Sequence, residues 1–358
     1  METLTRLGWN EQLSEEFEPH RAAGLVPGRV AVQHRGAWDV LTAEGELRVD
    51  VAGRLRHDAV SSSELPAVGD WVAVVPRPGE GGGTIHVVLP RRTKFSRKTA
   101  WQAAEEQVLV ANVDVVFVVT SLNEDLNLRR LERYLTLAWE SGATPVIVLT
   151  KADLVDDPAP AAAQVEAVAF GVPVVATSTR TGVGLETLRS WLPIGTTGAL
   201  LGSSGVGKST LVNALAGDEL QLTREIRDDG RGRHTTVRRE LIVLADGGLI
   251  VDTPGMRELQ LWEADDGLEE AFEDVTALFA GCRFSDCAHD TEPGCAVRAA
   301  LEEGTLAADR WESYRKLQRE LEHLDRRLDK RAQAEARKRW RVISRDAAER
   351  MRMKGRDV

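Results

Sequence analysis

The chain has 358 residues, 42% hydrophobic and 28% charged, with a formal net charge of −10. Because one domain usually takes roughly 100 to 200 residues, this length predicts two or three domains. No apolar run approaches the ~20 residues that span a bilayer. The negative net charge argues against nonspecific nucleic-acid binding by the whole protein surface.

The first residues lack a basic segment followed by an apolar one, so we expect no secretion signal and a cytoplasmic, membrane-free protein. Nucleic-acid binding would have to be local. Residues 91–98 carry five cations and no acids, and residues 326–341 carry eight cations and two acids. Each segment is either a phosphate-binding surface or an ordinary solvated charged face.

Residues 1–24 form an N-terminal extension, and residues 25–100 are predicted to form a small all-β barrel. Alternating apolar residues separated by Gly or Pro predict strands there. These strands cover residues 28–35, 37–43, 46–56, 69–76 and 84–90. Five strands in this length suit an oligonucleotide/oligosaccharide-binding (OB) barrel, although other small barrels give the same pattern.

Residues 101–263 are predicted to form a doubly wound α/β domain. Continuous β-branched runs, such as residues 113–121 and 144–151, are typical of parallel strands buried on both faces. The segment between them, residues 126–141, has helical spacing. The alternation of strands and helices continues to the end of this region, which implies right-handed crossovers.

Residues 264–330 are predicted to be helical around a cysteine-rich turn, and residues 331–358 form a basic tail. Leu317, Leu321, Leu324 and Leu328 repeat at helical spacing. This stripe predicts a helix face that packs on the body of the protein.

A phosphate-binding loop lies at residues 202–209, with the sequence Gly-Ser-Ser-Gly-Val-Gly-Lys-Ser. It matches the Walker A pattern and follows an apolar strand and precedes a helix, as the pattern requires. Lys208 would reach the β- and γ-phosphates, and the Ser209 hydroxyl would bind Mg²⁺. Asp252, at the end of a second apolar strand, would hold the Mg²⁺ shell, and the Gly255 N–H would meet the γ-phosphate.

A guanine-reading motif precedes this loop in the chain. Residues 150–153, Thr-Lys-Ala-Asp, match the [Asn/Thr]-Lys-x-Asp motif, in which Asp153 accepts from guanine N1–H and N2–H₂. Thr177 and Ser178 end another strand and would close over the base. Ordinary GTPases have the phosphate loop first, so this order predicts a circular permutation.

The segment between the two phosphate-side motifs, residues 224–240, is rich in Gly, Asp and Arg, and this composition predicts a mobile switch. Thr235 or Thr236 would supply a further Mg²⁺ ligand; the sequence does not choose between them. Met256 occupies the position where many small GTPases carry a water-orienting glutamine. His234 is therefore the candidate that positions the attacking water or acts as its base, the alternative being a solvated loop histidine.

The three cysteines of the chain share one short window with a histidine. The spacing Cys282-x4-Cys287-x-His289-x5-Cys295 supplies three thiolates and one imidazole. Such a set completes a closed tetrahedral Zn²⁺ site, and we expect one structural zinc per chain.

Taken together, these features resemble the ribosome small subunit-dependent GTPase A (RsgA-type) family, over about residues 25 to 330. The resemblance rests on residues 202–210, on Gly232-Arg-His-Thr-Thr236, on Asp252-Thr-Pro-Gly255 and on the zinc spacing. It implies an OB-type barrel, GTP hydrolysis stimulated by the 30S subunit, and late maturation of that subunit through contacts with 16S rRNA. It also assigns catalysis to His234.

Thr150 departs from the commoner asparagine of this family. Threonine lacks the amide that contacts guanine N7 and ties the loops together, so we expect weaker guanine binding with selectivity kept by Asp153. We expect the protein to be monomeric. The residues assigned to GTP or GDP are Thr150, Lys151, Ala152, Asp153, Thr177, Ser178, Gly202, Ser203, Ser204, Gly205, Val206, Gly207, Lys208, Ser209, Thr210, Thr235, Thr236, Asp252 and Gly255.

Two other functions compete with a ribosome-activated GTPase. One is a nucleotide-gated RNA-binding module that binds GTP but barely hydrolyses it, which the absent glutamine favours. The other is an ATP-using P-loop enzyme, which Asp153 argues against because adenine lacks the two donors that this carboxylate accepts from.

Overall fold

The structure, a computed structural model, describes residues 2–77, 79, 81–98, 106–123, 126–217, 239–252 and 265–322. The strands are β1 (Val26–Gln33), β2 (Trp38–Thr42), β3 (Gly45–Val51), β4 (Trp71–Arg77), β5 (Gly82–Val88), β6 (Lys94–Lys98), β7 (Glu106–Ala111), β8 (Val115–Ser121), β9 (Thr144–Thr150), β10 (Val174–Ala176), β11 (Thr197–Gly202), β12 (Glu240–Val243) and β13 (Leu249–Asp252). The helices are α1 (Glu2–Arg6), α2 (Glu11–Ala22), α3 (Gly53–Asp58), α4 (Leu128–Glu140), α5 (Ala159–Glu166), α6 (Leu185–Ser190), α7 (Lys208–Ala216), α8 (Asp265–Ala271), α9 (Glu273–Thr276), α10 (Ala296–Glu303) and α11 (308–322).

Strands β1 to β5 close into a barrel in the order β1-β2-β3-β5-β4-β1, with β3 and β5 parallel. This strand order is that of a five-stranded Greek-key OB barrel. Alternate residues point inward, so Val30, Val40, Val72 and Val74 are fully buried in its centre. The predicted strand 46–56 is too long, because β3 ends at Val51 and the next residues form α3, whose side chains are not buried.

The α/β domain has a sheet in the order β10-β9-β8-β11-β13-β12, parallel except for β12. Its strands are apolar on both sides because helices cover both faces. On one face, Val115, Phe117 and Val119 pack with α6 and α7. On the other face, Val116 and Val118 pack with α4, α5 and α8. A two-stranded ribbon, β6 and β7, connects this domain to the barrel.

The barrel and the α/β domain share one hydrogen-bonded sheet, because β1 pairs with β12 at Val32 and Glu240. Helices α1 and α2 of the N-terminal extension lie against both parts. Trp9 packs edge-on against Trp71 of the barrel, with ring centroids 4.8 Å apart. Gly8 has φ +92, and a Cβ there would lie 2.6 Å from the Gly195 carbonyl oxygen, so only glycine allows this approach to the α/β domain.

Arg29 of β1 is buried where these three parts meet, with 1% of its surface exposed. Its guanidinium donates to the carbonyl oxygens of Leu7, Gly69 (3.3 Å) and Asn112 (3.0 Å). Leu7 belongs to the N-terminal extension, Gly69 precedes β4 of the barrel, and Asn112 precedes β8 of the α/β domain. Burial lowers the pKa of Arg29 to about 10. The N-terminal extension, which the sequence left without a role, therefore fastens the barrel to the α/β domain.

Helices α8 to α11 follow the α/β domain and carry the cysteine-rich turn. The predicted apolar stripe is confirmed where the structure describes it, because Leu317 and Leu321 are buried. Leu324, Leu328 and the basic tail lie outside the described residues. None of the described helices is both long and apolar enough to cross a bilayer.

Candidate nucleotide and metal sites

The four nucleotide motifs lie at the carboxyl ends of neighbouring parallel strands. Strands β10, β9, β8, β11 and β13 are consecutive in the sheet, and Thr177, Thr150, Gly202 and Asp252 end or follow four of them. The carboxyl edge of such a sheet is where α/β proteins bind ligands. Motifs in permuted order along the chain are thus adjacent in space.

The phosphate-binding loop has the geometry that its glycines predict. Gly205 and Gly207 have φ values of +83 and +100, which residues with a side chain rarely adopt. Val206 is buried and anchors the loop, whereas Ser204 and Ser209 are exposed at its mouth. The Lys208 ammonium donates to the carbonyl oxygens of Gly202 (2.7 Å) and Ser203 (2.6 Å) and so lies against the loop.

The guanine-reading motif contacts this loop directly. The Thr150 hydroxyl donates to the Val206 carbonyl oxygen at 2.6 Å. The Lys151 ammonium donates to the Gly205 carbonyl oxygen at 3.0 Å, and Lys151 itself has the left-handed φ of +60. Although threonine lacks an amide, its hydroxyl ties the two loops together here. The expected weaker guanine binding stays a prediction.

Asp153 is held by a neighbouring strand end. The Ser178 hydroxyl donates to Asp153 Oδ1 at 2.6 Å, and this hydrogen bond keeps the pKa of the Asp153 carboxyl below its usual value. The Thr177 side chain has a different task, because its hydroxyl is buried and donates to the Val183 carbonyl oxygen at 2.8 Å. The Asp153 carboxylate is therefore ionised and oriented.

Asp252 ends β13, whose partner β11 leads directly into the phosphate-binding loop. This register places its carboxylate at the same sheet edge as Ser209 at the start of α7. His234, Thr235, Thr236, Gly255 and Met256 lie outside the described residues, so their assignments stay predictions. Sequence reasoning missed Tyr134 of α4, whose hydroxyl lies 3.5 Å from Ser203 Oγ; a tyrosine at an ordinary helical position gives no signal.

Replacing Thr150 by valine is expected to weaken GTP and GDP binding to a similar degree. Valine keeps the shape but leaves the buried Val206 carbonyl without this donor, a loss of about 1 kcal/mol or roughly fivefold in Kd. Fluorescent-nucleotide titration measures it. Thr150→Asn is the matched control, because its amide can restore a donor, and wild-type affinity in Thr150→Val would show that the tie has no effect on binding.

The cysteine-rich turn gathers Cys282, Cys287, His289 and Cys295 into one cluster whose ligand atoms lie within 4.8 Å of one another. His289 Nδ1 is 3.5 Å from Cys282 Sγ and 3.4 Å from Cys295 Sγ. A tetrahedral zinc with ordinary bond lengths separates sulfur and nitrogen ligands by roughly 3.6 Å. The donor set and its spacing therefore fit a metal ion.

The surroundings of the cluster favour the metal-binding form of Cys282 and His289 but the protonated form of Cys287. Burial raises the pKa of Cys282, but backbone N–H groups of Ala296 and Val297 at the start of α10, with the neighbouring thiols, bring that pKa below its usual value. Desolvation raises the pKa of Cys287 to about 11 and lowers that of His289. A neutral imidazole and a stabilised thiolate are both forms that bind metal.

Comparison with known proteins agrees with this geometry. A family described as RsgA GTPase matches residues 88–262. The small ribosomal subunit biogenesis GTPase RsgA of Opitutus terrae is 49% identical over 364 residues, covering 99% of each chain. The protein of that name from Streptomyces coelicolor is 48% identical and covers 94% of this chain and 92% of its own.

Two solved structures share the fold. YjeQ from Thermotoga maritima matches with a TM-score of 0.62 and 31% identity, covering 83% of this chain and 98% of that one. YloQ, described as a circularly permuted GTPase, matches with a TM-score of 0.60 and 25% identity, covering 84% and 96%. The reversed motif order, the shared sheet edge and these similarities lead to one conclusion: the chain belongs to the RsgA GTPase family.

Proposed function

We propose that this protein binds GTP and hydrolyses it to GDP and phosphate while acting in late maturation of the small ribosomal subunit. The observation that carries this proposal is the direct contact of Thr150 and Lys151 with the phosphate-binding loop. This contact supports the proposal that the Asp153 carboxylate and the Lys208 ammonium bind opposite ends of one GTP molecule. The relatives named as small ribosomal subunit biogenesis GTPases support the biological role.

Each part of the nucleotide has a proposed partner in this chain. Asp153 accepts from the guanine N1–H and N2–H₂ groups, while Lys151 lies along the base plane. Backbone N–H groups of residues 203–208 and the Lys208 ammonium bind the phosphates. Ser209, Asp252 and either Thr235 or Thr236 hold Mg²⁺, which neutralises charge that develops on the phosphates.

The remaining assignments follow the same proposal. The Cys₃His cluster takes one structural Zn²⁺ with no open position for catalysis. The partners are the 30S subunit and its 16S rRNA. The protein is monomeric and cytoplasmic, and its domain boundaries lie near residues 24, 100, 263 and 330. The basic segment 91–98 is part of the rRNA surface, although Arg91 is occupied in a buried pair with Asp70 at 2.7 Å.

The test is GTP hydrolysis with and without purified 30S subunits. We expect stimulation of the wild-type rate, and we expect His234→Ala to lose most of it, because a water-positioning group contributes about 10²- to 10⁴-fold. Phosphate release under multiple turnover measures both. Arg233→Ala changes the neighbouring residue and serves as the control; equal stimulated rates in His234→Ala and wild type would remove His234 from catalysis.

A nucleotide-gated RNA-binding module remains the second candidate, because Met256 follows the Asp252-Thr-Pro-Gly255 motif and a thioether cannot orient water. The same experiment separates the two functions. A module of this kind would bind 30S subunits in a GTP-dependent manner but would show no stimulated phosphate release.

A further inference from the structure

Helix α11 joins the metal cluster to the α/β domain. Trp311 packs edge-on against the cluster ligand His289, with centroids 5.7 Å apart, and Arg315 pairs with Asp290 at 2.9 Å. Arg310, the residue before Trp311, donates instead to Glu132 of α4. Helix α11 therefore contacts the cysteine-rich turn and α4 through adjacent residues.

Arg310 is the joint between α11 and α4. Its guanidinium donates to Glu132 of α4 at 2.7 Å, and both side chains are at most 5% exposed. It also pairs with Asp274 at 2.7 Å, donates to the Ala271 carbonyl oxygen, and lies 4.0 Å from the centre of the Phe272 ring. A buried carboxylate such as Glu132 fixes register, because leaving it without a partner is costly.

Two other ion pairs join the same helices but are accessible to solvent. Arg129 pairs with Glu312 at 2.9 Å with both side chains more than half exposed, and Arg133 pairs with Glu320 at 2.8 Å with about a third of each exposed. A cavity of about 370 Å³ lies beside them, lined in part by Tyr134, Lys316 and Leu317. Because exposed ion pairs contribute little to stability, the buried Glu132–Arg310 pair is the strongest of these three ion pairs between the helices.

Tyr134, two residues after Glu132, reaches the phosphate-binding loop. Its hydroxyl lies 3.5 Å from Ser203 Oγ, and the carbonyl of the same serine accepts from the Lys208 ammonium. The path from His289 to Ser203 thus consists of three side-chain contacts joined by helix backbone. Helix α11 connects Trp311 to Arg310, and α4 connects Glu132 to Tyr134.

We propose that α4 and α11 link the cysteine-rich turn to the phosphate-binding loop, with the Glu132–Arg310 pair as the joint and Tyr134 as a positioning residue for the loop. This inference rests on the proposed function. When a macromolecular partner of the C-terminal helices shifts α11, α4 moves with it and changes the position of Ser203 and, through its carbonyl, of Lys208. Stimulation by the 30S subunit would in part travel along this path.

The test compares Glu132→Gln, Tyr134→Phe and their double variant in GTP hydrolysis over a titration of 30S subunits. Glu132→Gln removes the charge at the joint while Asp274 still pairs with Arg310. We expect its unstimulated kcat and KM to stay near wild type and its maximal stimulation to fall about five- to tenfold. Tyr134→Phe removes one hydroxyl and is expected to raise KM and to lower stimulation.

The double variant decides whether the two residues act together. If Glu132 and Tyr134 act on the same path, the double variant loses no more stimulation than the more affected single variant. A loss equal to the product of the two single-variant losses would overturn the proposal. Arg129→Gln breaks an exposed pair between the same helices and is the matched control, so an equal loss there would also overturn it. If 30S subunits do not stimulate hydrolysis by the wild type, the proposed function itself fails. If they stimulate the wild type and the variants equally, only the proposed link between the turn and the loop is overturned.

Discussion

Replacing Asp153 by asparagine is expected to exchange guanine for xanthine as the preferred base. Guanine presents two donors, N1–H and N2–H₂, to the ionised carboxylate that Ser178 orients at 2.6 Å. Asparagine turns one acceptor into a donor, while xanthine carries an oxygen at C2 that accepts from it. We expect GTP affinity to fall about 100-fold or more, because a site built around hydrogen bonds rejects a mismatched partner strongly.

Competition of GTP, XTP and ATP for a fluorescent guanine nucleotide measures this exchange. Asp156→Asn provides the control, since it changes a nearby exposed aspartate by the same chemistry. Retained GTP preference in Asp153→Asn would show that this carboxylate does not read the base and would return the ATP-using alternative to consideration.

The arrangement of the nucleotide site was predictable from the sequence because each of its motifs is local. Residues 150–153 and 202–209 each follow an apolar strand, and parallel strands present their carboxyl ends at one edge. The motif at residues 150–153 begins at the last residue of β9 and the motif at residues 202–209 at the last residue of β11, and only β8 separates these two strands in the sheet. The five-stranded barrel was predictable for a similar reason, since alternation and turns are local signals.

Contacts between distant parts of the chain were not predictable in this way. Arg29 donates to carbonyl groups 22, 40 and 83 positions away, and no spacing rule links such residues. The hydroxyl of Thr150 donates to a carbonyl oxygen 56 positions further on. Glu132 looks like one charge among several on a helix until Arg310, 178 positions away, is placed beside it.

The metal cluster was predictable as a set of ligands, but its attachment to the rest of the protein was not. His289 stacks on Phe279 with ring centroids 4.4 Å apart, and Trp311 packs edge-on against the same imidazole. His289 also has a left-handed φ of +62, a costly conformation for a residue with a side chain. A bound metal would offset that cost, because it would fix the imidazole towards the thiols.

Replacing Cys287 by serine is therefore expected to abolish zinc binding and to unfold the cysteine-rich turn. Serine keeps the size but not the thiolate, and structural zinc supplies about 10–16 kcal/mol of apparent binding free energy in small zinc-dependent folds, most of which this turn would lose. Metal analysis should find about one zinc per wild-type chain and close to none in the variant. Chelation of wild type should produce the same change.

Hydrogen exchange separates this local loss from general unfolding. Faster exchange is expected in residues 282–295 and in α11, while β9 and β11 stay protected, because no zinc ligand lies in that sheet. Ser285→Ala alters an exposed residue of the same turn and should keep both the metal and the protection. A Cys287→Ser protein that retains zinc, or a wild type that never binds it, would show that the turn is held by its aromatic packing and ion pairs instead.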